Sequence, residues 1–364
     1  MIAQTDPKAQ YLSTKSEIDA AIQEALIAGQ YILGPMEKKF EADFAAYCGL
    51  SYGIGVANGT DALHLALRAV GVSDGDEVIT TSHTATATAS AIRMTGATPV
   101  FIDTDDYFSL DIAHAKKALS SKTKAVVAVH LYGQSVDLRG WSAFCDANDL
   151  ILVEDCAQAH GAIYGEKKVC TFGRVASFSF YPTKNLGAIG DGGAVVTSDP
   201  KVADRVKLLA QYGWRERYVS EIEGYNSRLD ELQAAILSVK LKYLDANNQK
   251  RNRIANRYYE GLEGLPIDLP KLRAGANHVY HQFVIRCEDR DSLRGFLLER
   301  GIHSMVHYPT PIHLQPGYAS SCRIPQPLTR TEADAKQILS LPMYPELSDQ
   351  SVDEVIHAVK AKFS

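Results

Sequence analysis

The chain has 364 residues, 46% hydrophobic and 22% charged, with a formal net charge of −5 and a pI near 6.1. That length suits two domains, each able to bury a core, and an acidic balance without a long basic run gives no electrostatic footprint for nucleic acid. Six cysteines (Cys48, Cys145, Cys156, Cys170, Cys287, Cys322) form no CxxC pair, no apolar run is long enough to span a bilayer, and the opening MIAQTDPKAQ lacks a signal-peptide pattern, so free buried thiols and a cytoplasmic location away from membranes are expected.

Strand-like runs alternate with helical patterns from about Tyr52 to Asp204, the mark of a mainly parallel sheet covered on both faces. The expected strands are Gly53 to Ala57, Glu77 to Thr81, Pro99 to Ile102, Ala125 to His130, Leu150 to Val153, Val175 to Phe180 and Ala194 to Thr197. The first leads through Asn58-Gly59 into an amphipathic helix. The free N–H groups and positive end of such a helix bind phosphate, which makes Gly59 and Thr60 a candidate cradle. His64, one turn on, reads as packing or surface. The fifth strand ends in Glu154-Asp155. Ligands of open α/β sheets sit beyond the carboxyl ends of the strands, so Asp155 points a charge at whatever is bound; an isolated acid there would read as a helix N-cap.

After the sixth strand come Pro182, Lys184 and four glycines, Gly187, Gly190, Gly192 and Gly193. These glycines let backbone approach a ligand or turn with positive φ. A lysine desolvated in such a loop loses basicity and attacks carbonyls as the neutral amine. Alone it would be a surface lysine in a glycine turn. Paired with a carboxylate, it suggests pyridoxal phosphate, with Asp155 on the pyridinium nitrogen. Ser227 with Asp230 or Glu231 reads as the cap and first-turn acids of a following helix, which leaves Asn226 and Arg228 without a local structural task. A long charged helix through about Leu262, a strand from Tyr280 to Arg286 and three more helices then mark a smaller α+β domain, giving divisions 1–236 and 237–364. His278 and His281, three apart in an expected strand, face opposite sides and make no metal pair. HExxH, GxxxxGK[ST], GxSxG and a GxGxxG opening a helix after a strand are all missing, so no metal or nucleotide-fold chemistry is expected.

In order and spacing these segments resemble the DegT/DnrJ/EryC1/StrS family of sugar aminotransferases, fold-type I pyridoxal-phosphate enzymes, over nearly the whole chain. Gln30 to Pro35, Phe40 to Phe44, Tyr308 to His313 and Leu339 to Met343 match as well. The resemblance implies an α/β fold with a seven-stranded, mostly parallel sheet in the large domain. It implies that Lys184 carries pyridoxal phosphate covalently, that Asp155 holds its ring nitrogen, and that Gln158 lies beside its phenolic oxygen. Gly59, Thr60 and Ser179 then hold its phosphate, with Asn226 lent by a neighbouring subunit, which implies a homodimer with shared active sites. The family commonly covers the cofactor with an aromatic ring where this chain has Ala85. His83 is therefore a candidate ring cover, the other reading being a satisfied polar residue at a strand end.

A lysine at 184 separates the chain from the family's dehydratases, which carry histidine. Gln211 to Tyr218, with Ser227 after Asn226, resembles members that aminate 3-keto sugars. L-glutamate as amino donor and a dTDP-3-keto-6-deoxyhexose as acceptor are the expectation. A UDP-linked 3-keto sugar, a 4-keto sugar and a non-catalytic sensor are the alternatives. Arg215, Arg217 and Arg228 suit a nucleotide diphosphate, against a solvated basic loop for the first two. His307 and Tyr308 are candidates to face the sugar, against simple burial at a strand end.

Overall fold

A computed structural model describes residues 1–363. Seven strands form one sheet: β1 (Tyr52–Val56), β2 (Glu77–Thr81), β3 (Thr98–Ile102), β4 (Thr123–Val129), β5 (Ile151–Asp155), β6 (Val175–Ser179) and β7 (Gly193–Thr197). Their order across the sheet is β1-β7-β6-β5-β4-β2-β3. β2 to β6 pair in parallel, while β7 runs antiparallel to both β6 and β1. The expected seven-stranded, mostly parallel sheet is present.

Apolar residues on both faces explain it. In β4, Ala125, Val127 and Val129 join one buried cluster and Val126 and Ala128 the other, the period-two pattern of a strand covered by helices on both sides. The same alternation sends the two acids of β5 in opposite directions. Glu154 accepts hydrogen bonds from the N–H groups of Cys170, Phe172 and Gly173 at 2.7 to 2.9 Å, which fixes the loop before β6. Asp155 turns to the face carrying the helix Gly59–Ala69, whose Ala62, Leu63, Leu65 and Ala66 share a core with Val153. Behind the loop that follows β6, Phe40, Phe44, Phe178 and Phe180 pack with ring centroids 5.0 to 5.6 Å apart. Each such buried ring contributes about 1.5–3 kcal/mol.

The chain after Asn226 departs from expectation in three places. The long helix is two helices, Glu231–Leu241 and Leu244–Leu262, because Lys242 and Tyr243 turn tightly with i to i−3 bonds onto Val239 and Lys240. The strand covers only Phe283–Arg286, paired antiparallel with Ile338–Leu341. The N–H groups of Val279, Tyr280 and Gln282 are taken by Gly133, the His278 ring and Tyr132, so the backbone there bonds toward the large sheet instead. Ser227 does not cap the helix that follows: its hydroxyl donates to Asp61 at 2.7 Å and accepts from the N–H of Ala57 at 3.0 Å. Glu231 caps a distant helix, Pro35–Cys48, by accepting from the N–H groups of Gly34, Met36 and Glu37.

Residues 236 and 237 fall inside the helix Glu231–Leu241, and chain crosses that boundary both ways. Ile2 pairs with Ile302, and Asp103 accepts from the N–H groups of Arg330 and Thr331. Three further helices follow the strand, Arg290–Glu299, Thr329–Gln337 and Asp349–Phe363. Among the described residues no helix is long and apolar enough to cross a membrane.

Candidate active site

Beyond the carboxyl ends of β4, β5 and β6 lies a cavity of about 540 Å³. Six of the sequence-derived candidates line it together: Gly59, Thr60, Asp155, Gln158, Ser179 and Lys184. β5 and β6 end on Asp155 and Ser179, and the helix Gly59–Ala69 begins at the rim. Asn58 caps that helix by accepting from the N–H of Asp61 at 2.8 Å. The N–H groups of Gly59 and Thr60, at the first helical positions, have no intrahelical acceptor and remain for an anion. A Cβ on residue 59 would lie 2.5 Å from the Ser179 Cβ and 2.9 Å from its hydroxyl. Only glycine allows the helix start and the Ser179 hydroxyl to meet in one cradle.

Lys184 sits in a turn closed by its own N–H onto Tyr181 and by Ala188 onto Phe180. Its amine has no hydrogen bond or ion pair among the described residues. Burial lowers its pKa to about 8, against the opposing pull of Asp155, so the neutral amine is far more populated near neutrality than for an ordinary lysine. None of the four following glycines has a positive φ, contrary to one half of the expectation. They serve close approach instead: a Cβ at Gly187 would lie 2.5 Å from the Pro182 carbonyl oxygen, and one at Gly193 2.4 Å from that of Asn58.

Asp155 is buried, and burial raises its pKa. Its Oδ1 accepts from the N–H of Ala157 at 3.2 Å and its Oδ2 from the Thr88 hydroxyl at 3.1 Å. Gln158 is locked, accepting from the N–H of Tyr132 at 2.7 Å and donating to the Tyr308 hydroxyl at 3.1 Å. An anion cradle, a partnerless amine and an oriented carboxylate in one cavity fit pyridoxal phosphate, group for group.

The remaining candidates lie elsewhere. His83 does not cover the cavity: it is buried against Phe108, its ring 5.7 Å away, with Nε2 2.8 Å from the Tyr132 hydroxyl. That hydroxyl donates to the His307 carbonyl, so His83 donates to it. Burial lowers the pKa of His83 to about 4, leaving it neutral. Ala85 lines the cavity itself. His307 bonds to the Ser340 hydroxyl at 2.9 Å, and burial lowers its pKa to about 4. Tyr308 does not line the cavity, but its hydroxyl accepts from Gln158 at 3.1 Å and lies near Asp155. Asn226, Arg215 and Arg217 are exposed. Arg215 pairs with Asp204 and Glu221, Arg217 stacks on Tyr218 at 4.9 Å, and Arg228 borders a separate cavity with Glu37, Glu41 and Lys207.

Thr84, Thr88, Tyr181 and Asp191 also line the site. Asp191 is a site residue that the sequence reading did not single out, its signal being an acid between Gly190 and Gly192; Thr84 and Thr88, four apart at a helix start, carry no chemical signature of their own. His130, Glu154 and Cys156 come close enough to suggest a metal. However, Nδ1 of His130 accepts from the N–H of Val136 at 3.2 Å, so its proton is on Nε2 and goes to Glu154. No lone pair is left there for an ion.

A model of the DegT/DnrJ/EryC1/StrS aminotransferase family matches residues 12–360. A dTDP-3-amino-3,4,6-trideoxy-alpha-D-glucose transaminase of Streptomyces venezuelae is 47% identical over 357 residues, spanning 98% of this chain and 94% of the relative. A UDP-N-acetyl-3-dehydro-alpha-D-glucosamine 3-aminotransferase of Acidithiobacillus ferrooxidans is 41% identical over 360 residues, spanning 99% and 97%. The crystal structure of S. venezuelae DesV in complex with a ketimine intermediate superposes with a TM-score of 0.97 at 46% identity, covering 100% of this chain and 98% of that one. With the cavity's residues fitting the cofactor and the match running through the whole fold, the chain belongs to the DegT/DnrJ/EryC1/StrS family and is a pyridoxal-phosphate-dependent aminotransferase.

Proposed function

We infer that the enzyme moves the amino group of L-glutamate to C3 of a nucleotide-linked keto-sugar, a dTDP-3-keto-6-deoxyhexose, and works in the cytoplasm as a homodimer. In this reading Asn226 of each subunit completes the phosphate site of the other. The observation that carries the chemistry is the partnerless Lys184 amine sharing a cavity with Asp155 and with the cradle formed by Gly59, Thr60 and Ser179. The C3 position rests on the two transaminase relatives, both named for the 3-position. The dimer rests on Asn226 being exposed and on the exposed Tyr31, Ile32, Tyr181 and Ile189, apolar surface that a second copy would cover.

Pyridoxal phosphate supplies an electron sink that makes the α-hydrogen of a bound amino acid acidic. Gly59, Thr60 and Ser179 would hold its phosphate, Asp155 would accept from its ring N–H, and Gln158 would lie on the side of its phenolic oxygen. With the cofactor bound, the neutral Nζ of Lys184 would be the base that takes the proton from the α-carbon of the amino donor and, as the ammonium, the acid that gives it back, water releasing the keto acid; the same residue would serve the keto-sugar in the opposite direction. A depressed pKa serves this role, since the amine must be neutral to accept.

The test is the visible absorption of the purified protein before and after L-glutamate, followed by turnover of dTDP- and UDP-linked 3-keto and 4-keto sugars. Bleaching by glutamate, release of 2-oxoglutarate and a 3-amino product by NMR support the reading. A 4-amino product overturns the regiochemistry. Cofactor uptake without turnover of any keto-sugar returns the sensor alternative.

A further inference from the structure

Asp155 is held from a direction that the cofactor assignment does not require. Thr88, buried in the first turn of the helix Thr86–Met94, lies 67 residues away in sequence and places its hydroxyl 3.1 Å from Oδ2. A carboxylate only accepts, so Thr88 donates. Its own oxygen lies 3.0 Å from the Thr84 hydroxyl. With the Thr88 proton already committed to Asp155, Thr84 must donate to Thr88. The two hydroxyls therefore form a one-way chain ending on the carboxylate, and both residues are buried and line the cavity.

We propose that Thr88, oriented by Thr84, is a positioning residue that holds Asp155 ionised and aimed for the cofactor's ring nitrogen. The chain works against the burial of that carboxyl. Without it, Oδ2 loses a donor in a site that otherwise disfavours charge. The groups that face Asp155 are Lys184, on the loop after β6, and His130, at the end of β4, both of which favour its ionised form, and the Tyr308 hydroxyl; Glu154, next to it in sequence, points to the opposite face of β5. None of these takes the place of the Thr88 donor on Oδ2. The Ala157 N–H binds the other oxygen, so each oxygen is fixed by one donor and keeps a lone pair for the ring N–H.

The proposal rests on the cofactor assignment, and its test separates the two. Pyridoxal phosphate is titrated into the cofactor-free protein and its dissociation constant read by absorbance. Thr88→Val, near in volume but without the donor, weakens binding about tenfold, the scale of one hydrogen bond to a charged group. Thr88→Ser recovers to within about threefold, since only the hydroxyl matters. Thr84→Val weakens binding less and adds nothing in the Thr88→Val background, and Thr88→Val adds nothing in an Asp155→Asn background, because residues in one chain are not additive. Wild-type affinity in Thr88→Val, failure of serine to rescue, or full additivity with Asp155→Asn overturns the proposal. If Thr88→Val does not fold, Thr84→Val and Thr88→Ser carry the same test. A wild-type chain that takes up no pyridoxal phosphate refutes the cofactor assignment itself.

Discussion

Gly59→Ala puts the anion cradle to its sharpest test. The added Cβ would lie 2.5 Å from the Cβ of Ser179, 2.9 Å from its Oγ and 3.1 Å from its Cα. Carbon atoms settle at about 3.5–4.0 Å, so the overlap is about 1 Å. Rotating the serine does not relieve it, because two of the three clashing atoms stay put when its χ1 turns. Backbone movement is hindered too: residue 59 opens a capped helix, Ser179 closes β6, and Gly193 of β7 packs so near the Asn58 carbonyl that no Cβ fits between them. Overpacking of this kind costs about 1–3 kcal/mol, which lowers Tm by a few degrees. It also pushes the Gly59 and Thr60 N–H groups away from Ser179, and losing one bond to a charged phosphate weakens cofactor binding about tenfold. Scanning calorimetry of the cofactor-free protein and a pyridoxal-phosphate titration read the two effects separately. In Gly59→Ala/Ser179→Gly the two shortest contacts are gone and only the 3.1 Å approach to the Cα of residue 179 remains, so part of the stability returns while cofactor affinity stays low for want of the hydroxyl. A single Gly59→Ala variant that melts and binds like the wild type refutes the argument, since position 59 would then not need glycine for the approach to Ser179.

Three further outcomes follow from the same geometry. Lys184 titrates near pH 8 in the fold against 10.5 for an ordinary lysine, so between these values the unfolded chain binds more protons than the folded one. The stability of the cofactor-free protein therefore gains a contribution as pH rises from about 8 to 10.5; Lys240 acts in the same direction, and urea unfolding of Lys184→Met beside the wild type isolates the Lys184 share. Glu231→Gln removes the charge that holds three N–H groups at the start of the helix Pro35–Cys48, and urea unfolding should show a loss of about 1–3 kcal/mol. Arg215→Ala breaks exposed pairs with Asp204 and Glu221 and should change stability by less than about 0.5 kcal/mol. A raised KM for the nucleotide-sugar with an unchanged glutamate half-reaction then places the arginine on the diphosphate, and an unchanged KM returns it to the solvated loop.

What could be read from the sequence was what neighbouring residues enforce on one another. β4 shows its two buried faces because alternate side chains enter different cores, and the helix start at Gly59 shows because the Asn58-Gly59 turn stands directly before an amphipathic run. Asp155 and Lys184 stand out because a charge at the end of an apolar strand has few structural tasks to perform. The misplaced residues are those whose partners arrive from other elements. Glu231 looks like a first-turn acid of its own helix, yet its carboxylate serves a helix start about 195 residues earlier. His83 offers a planar ring two residues from where one was wanted. The Tyr132 hydroxyl and the Phe108 ring hold His83 in the core, away from the cavity. Ala85 is left lining the cavity with nothing larger than a methyl group. Thr84 and Thr88 are the reverse case, two residues without local chemical character that gain it from the carboxylate beside them. Side chains close together in sequence reveal the cradle and the strand ends; the direction in which Asp155 is held depends on which helix start folds against β5, and that is set by packing over the whole sheet.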